Sequence, residues 1–158
     1  VLAAMFIAAP AFAQLTGTLN LAGQVGKNVA IVVTPNAAAS ALDLSDSSYT
    51  TSGTALTVAS VNEKSNFGYD VTVYSANSGQ LIDSVSSDAM NYALTYNGVD
   101  IGQPPSSATP LNITNSAVRT GGLGVDKSVG IYYTPDAALT ASAAFTYVDT
   151  LTFTISAK

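Results

Sequence analysis

The amino-acid sequence predicts an all-β protein, an antiparallel β-sandwich of about eight short strands. Three observations carry that prediction. Apolar residues recur at every second position along most of the chain, the pattern of strands with one face in a core. No helix-length window has convincing helical periodicity; the Ala-rich stretch Ala137 to Ala144 is the nearest rival, and Thr and Ser interrupt it. The composition agrees. Only 9% of residues are charged, against about 25% in an average globular protein, and the abundant Thr, Val and Tyr suit a pleated, half-buried surface.

Taken in order, the elements begin with Leu15, Gly17, Leu19, Leu21, Gly23 and Val25, which alternate with Thr16, Thr18, Asn20, Ala22 and Gln24 as a long strand with one apolar edge. Val29 to Thr34 is a continuous apolar run closed by Pro35 and Asn36, which suits a strand buried on both faces. Leu56, Val58 and Val61 form the next strand, expected to stop at the polar stretch Asn62 to Asn66. Tyr69, Val71 and Val73 alternate with Asp70, Thr72 and Tyr74 up to the turn residues Ser75 to Gly79, and Leu81 to Val85 reads as a brief edge strand. Tyr92, Leu94 and Tyr96 lead into Asn97-Gly98, then Val99 and Ile101. Asn-Gly between alternating runs is the strongest local hairpin signal, because a type I′ turn needs positive φ at both central residues. After a Pro- and Ser-rich loop over Gln103 to Pro110, the remaining strands are Leu111 to Thr114, Val129 to Tyr133 and Tyr147 to Ser156. In the last, Tyr147, Leu151, Phe153 and Ile155 face one way.

The 158 residues make one domain, residues 14–158, preceded by what reads as the remnant of an export signal at residues 1–13. That remnant, VLAAMFIAAPAFA, combines an apolar stretch, the helix breaker Pro10 and a terminal small-x-small Ala-Phe-Ala, so cleavage after Ala13 is expected. Its positively charged start is missing, and thirteen residues fall short of the roughly 20 that span a bilayer, so no membrane span is expected in the mature chain.

The residue inventory excludes much chemistry. Without Cys or His there are no disulfides, thiolate sites, Ser-His-Asp or Cys-His centres, and the commonest general base and metal ligand are lacking. Ser-x-x-Lys and Gly-x-Ser-x-Gly are absent, and Gly121-Gly122-Leu123-Gly124 lacks the Lys-Ser/Thr of a phosphate loop and reads as a connection. Asp43 and Asp46 could in principle pair as glycosidase carboxylates or hold calcium, but they match no calcium loop, and they read better as turn residues bonding their own backbone. Asn112-Ile113-Thr114 fits the N-glycosylation pattern and reads as a strand-end Asn. The 10 acidic and 5 basic residues, net charge −5, are scattered without runs, which argues against nucleic acid as a partner. No cofactor, metal or catalytic residue is assigned; the expectation is a structural or adhesive protein, not an enzyme. Tyr74 and Tyr132 are out of phase with their core-facing neighbours and are candidates for an exposed contact surface.

Three segments together resemble bacterial fimbrial (pilin) subunits of the chaperone–usher type, particularly the archaic, spore-coat-protein-U-like branch. They are Leu15 to Val25 leading into Val29 to Thr34, the run Asn66-Phe-Gly-Tyr-Asp-Val-Thr-Val-Tyr-Ser-Ala-Asn77, and the closing Tyr147 to Ser156. The resemblance implies an incomplete immunoglobulin-like sandwich finished by donor-strand exchange, in which the N-terminal extension of a neighbouring copy supplies the missing strand. It implies export through the periplasm to the cell surface, a homopolymer of the chain as partner, and a periplasmic chaperone and outer-membrane usher for assembly. Many pilins carry a disulfide; this chain has none. On this reading residues 15–25 are the donor strand, with Leu15, Leu19, Leu21 and Val25 as plugs and Gly17 and Gly23 where the groove is shallow. The same alternation also fits a strand folded back into its own domain, and a monomeric carbohydrate- or matrix-binding module is the alternative function.

Overall fold

A computed structural model describes residues 18–83, 85–135 and 146–158. The described chain is almost entirely β: β1 Val29–Pro35, β2 Leu56–Ser65, β3 Tyr69–Ser75, β4 Gln80–Asp83, β5 Ala89–Tyr96, β6 Val99–Gly102, β7 Leu111–Ser116, β8 Val125–Tyr133, β9 Tyr147–Val148 and β10 Leu151–Ala157. Two single 3₁₀ turns, Ala37–Ser40 and Ser52–Thr54, sit in the connection between β1 and β2. The Ala-rich stretch at 137–144, the nearest rival to a strand reading, lies outside the described residues. No helix among the described residues is long and apolar enough to cross a membrane.

All pairings are antiparallel. One layer runs β1-β2-β8-β5-β4-β9, with β6 also on β5; the other is β10-β3-β7. The two close face to face over Val61, Val71, Val73, Leu94, Val129, Ile131 and the tyrosines Tyr69, Tyr92, Tyr96 and Tyr133, all buried. Period-two patterning produces this directly: β3 alternates buried and half-buried residues along its whole length, and β5 buries Met90, Tyr92, Leu94 and Tyr96. Val58 and Val61, out of phase in a plain strand, both reach the core because the β2–β8 register shifts between Thr57 and Ala59. The predicted hairpin forms at Asn97-Gly98, with φ of 51° and 77°.

Three expectations are corrected. β1 is not buried on both faces: it pairs with β2 alone, and Val32 and Val33 are 57% and 41% exposed. β2 does not stop at Asn62 but runs to Ser65, with Glu63 fully buried, because hydroxyl groups meet its carboxyl there. The closing strand is two strands. β9 pairs with β4 in the large layer and β10 with β3 in the small one, and the chain crosses between layers at Asp149-Thr150.

In place of a disulfide, two carboxyl groups tie the layers. Glu63 on β2 accepts from Tyr69 OH (2.9 Å), Tyr96 OH (2.5 Å) and Thr114 Oγ1 (2.7 Å), so one side chain joins β2, β3, β5 and β7. At the other end Asp149 accepts from Ser75 Oγ and Tyr92 OH (both 2.5 Å) and from the Asn77 backbone N–H (3.0 Å). Burial, reinforced by the acid it faces, raises the pKa of each of these phenols, that of Tyr69 to about 12.

Candidate functional site

The candidate site is the seam where the two layers fail to close. β1 and β10 run along the same edge of the sandwich and come near each other, yet share no hydrogen-bonded ladder. Among the described residues each has a partner on one side only, β2 and β3 respectively, so there each offers a strand edge with backbone N–H and C=O groups outside any ladder. Their core-facing residues are correspondingly short of cover. Ile31, Leu151 and Phe153 pack against the buried cluster but stay only half-buried. Phe153 stands against Tyr96, ring centroids 6.3 Å apart and planes 28° from parallel, so it points inward. Its incomplete burial therefore comes from the open seam and not from an outward orientation.

The second component is the chain before β1. Residues 18–28 belong to no strand and all are exposed. Leu19, Leu21 and Val25 are 81%, 86% and 89% exposed, and nothing lies within 4 Å of a Cβ placed on Gly23. Leu15 and Gly17, named with them from the sequence, lie outside the described residues. Three large apolar side chains at alternating positions, without a partner strand, are a strand in pattern but not in pairing.

Where the segment joins the domain, it is held. Asn66 Oδ1 accepts from the Asn28 N–H (2.7 Å), Asn66 Nδ2 donates to the Gly26 carbonyl (2.8 Å), and the Asn66 N–H donates to the Asn28 carbonyl (3.1 Å). Lys27 lies over the Phe67 ring, 4.4 Å from its centroid, and its ammonium donates to the Lys158 carbonyl. Sequence reasoning missed this clasp, although Asn66 opens one of the segments that carried the family resemblance.

Tyr74 and Tyr132 are both half-buried, on strands of different layers and in the phase opposite to their buried neighbours. They face outward on opposite sides of the molecule and build no shared platform. Tyr132 OH donates to both oxygens of Asp100 (2.8 and 3.0 Å). Asp43 and Asp46 behave as turn residues: Asp43 Oδ1 accepts from the Ser45 N–H and hydroxyl, and Asp46 Oδ1 from the Ser48 N–H. The Ser48 hydroxyl and N–H hold the Asp46 carboxyl below its usual range. Compared with known proteins, the chain matches no family model, no curated protein and no solved structure.

Proposed function

We propose that this chain is a structural subunit of an extracellular bacterial fibre with a role in adhesion or biofilm, an incomplete immunoglobulin-like sandwich of the fimbrial, chaperone–usher kind. Residues 15–25 of one copy enter the β1–β10 seam of the next. One observation carries the reading: a single chain holds both an unclosed seam and an unpaired alternating segment of the length and pattern to close it. Main-chain bonds to the free strand edge would supply affinity, and Leu15, Leu19, Leu21 and Val25 in the half-covered space beside Ile31, Leu151 and Phe153 would fix register. Burying each such side chain is worth about 1.5–3 kcal/mol, so the four together rival the stability of a whole domain, about 5–15 kcal/mol.

Deleting residues 15–25 tests the proposal. The shortened subunit should not polymerise and should melt at a lower temperature, and a synthetic peptide of that segment should raise its melting temperature in proportion to log peptide concentration. A full-length chain that remains monomeric at high concentration and melts cooperatively would place the segment within its own domain and end the fibre reading.

A further inference from the structure

We infer that successive copies seat end to end by charge, the lysine- and arginine-bearing end of one subunit against the aspartate-bearing end of the next. This rests on the fibre reading above and adds the orientation of the contact to it. Sequence order scatters the charges, but the topology sorts them. Lys27 precedes β1, Lys64 lies at the end of β2 opposite Ala30, Arg119 lies between β7 and β8, Lys127 pairs with Val61 near the start of β8, and Lys158 follows β10. These are all the Lys and Arg residues of the chain; the antiparallel register brings Lys27, Lys64, Arg119 and Lys158 to the end of the sandwich where β1 begins and leaves Lys127 part-way along, level with Val33 of β1. Asp43 and Asp46 in the β1–β2 connection, Asp83 at the end of β4, Asp88 between β4 and β5, and Asp149 before β10 occupy the other end. Asp83 is buried and Asp149 is taken up by Ser75, Asn77 and Tyr92, so Asp43, Asp46 and Asp88 carry the accessible charge there.

The acids at the basic end offset its charge only in part. Glu63 is buried, Asp70 lies 3.4 Å from Lys158, and Asp126 accepts from the Asn62 amide. Lys64 and Arg119 have no carboxylate partner among the described residues. They line an open concavity of about 530 Å³ together with Asn28, Asn66 and Thr120. Two unpaired cations around a concave polar surface, in a chain whose net charge is −5, fit an anionic convex partner. The aspartate end of a second copy has that chemistry, with Asp43 exposed and presented on a turn.

The place where the segment leaves the domain selects this occupant. Residues 26–28 separate Val25 from β1 and reach at most about 11 Å when fully extended. The body of the donor copy must therefore sit within about 11 Å of the acceptor end from which its segment emerges, a distance at which charge is only partly screened, the screening length at physiological salt being about 8 Å. If the segment lies antiparallel to β10, it emerges at the aspartate end and brings opposite charges together. If it lies parallel to β10, it emerges at the basic end and sets like charge against like. Charge thus favours the antiparallel insertion.

Assembly of the full-length chain and two charge-reversed variants tests this, followed by light scattering and electron microscopy, with circular dichroism melts confirming that each variant folds. Wild-type assembly should slow about tenfold or more from low to high salt, within the usual range of electrostatic steering. K64E/R119E and D43K/D46K should each assemble as slowly in low salt, and an equimolar mixture should recover the wild-type rate by alternating. In filaments, a Gln24→Cys, Thr152→Cys double variant should cross-link between subunits under oxidation, and Gln24→Cys, Ser156→Cys should not. Filaments that form at one rate across salt and across both variants would overturn the charge contact while leaving the fibre intact. A wild-type chain that forms no filament in any salt would remove both.

Discussion

Glu63 defines how much a single residue can hold in this sandwich. Its carboxyl takes three hydroxyl donors from three strands and makes no ion pair among the described residues, so each donor matters to the others. Tyr96→Phe removes the shortest of the three and should destabilise the domain by about 1–3 kcal/mol, read from chemical denaturation. Tyr74→Phe, on an outer face, should change stability by less than about 0.5 kcal/mol; equal effects would refute the assignment. The raised phenol pKa values give a pH dependence of definite sign. Folded Tyr69, Tyr92 and Tyr96 resist ionisation, whereas an unfolded phenol loses its proton near pH 10. Their contribution is therefore complete below about pH 10 and is lost as pH rises through the folded values. The melting temperature should fall steeply above that point, and three tyrosines should yield phenolate absorbance only as the chain unfolds. Phenolate from all eight tyrosines before unfolding would contradict this. Alternation made the tyrosines legible as core residues. It could not reveal Glu63, because a buried acid inside Asn62-Glu63-Lys64-Ser65-Asn66 resembles a strand end until its donors, remote in sequence, are placed.

Among the elements, the Asn97-Gly98 hairpin joins β5 to β6 and needs both residues in the left-handed region. A Cβ on Gly98 meets nothing within 4 Å, so the cost of Gly98→Ala is conformational alone, about 1–2 kcal/mol. It should lower the denaturation midpoint without changing the slope of the transition; no change in midpoint would show that the turn relaxes freely. Such local signals were readable directly, as were β3, β5 and the positions of most other strands. What a strand lies beside was not. The apolar run of β1 reads as doubly buried because pattern reports what could be covered, and β1 turns out to be an edge. Tyr147 to Ser156 reads as one strand because nothing in its alternation marks the crossing that Asp149 pins to Ser75, Asn77 and Tyr92.

For the molecule as a whole, the proposed exchange would tie stability to concentration. A sandwich completed by its neighbour should melt at a temperature that rises with subunit concentration, because association draws on the folded state. Calorimetry across a hundredfold dilution checks this, and an unchanged melting temperature would show that completion is internal. The all-β sandwich was legible from composition and period. The open seam was not, since it arises from two strands far apart in sequence, each without a second neighbour among the described residues. The sorting of charge toward opposite ends was equally hidden, although four of the five basic residues sit near strand ends that antiparallel order sends the same way.

The clasp at Asn66 has a mechanical consequence. Tension along a fibre of these subunits would enter each one through residues 26–28, where the side chain of Asn66 and the stacked Lys27 transmit it to the β2–β3 corner as well as to β1. The load on β1 runs parallel to its own axis, so its seven register pairs with β2, from Val29–Ser65 to Pro35–Ala59, are sheared together and not peeled one by one. A subunit anchored in this way would stretch as a rigid link, and the joint between copies would yield first.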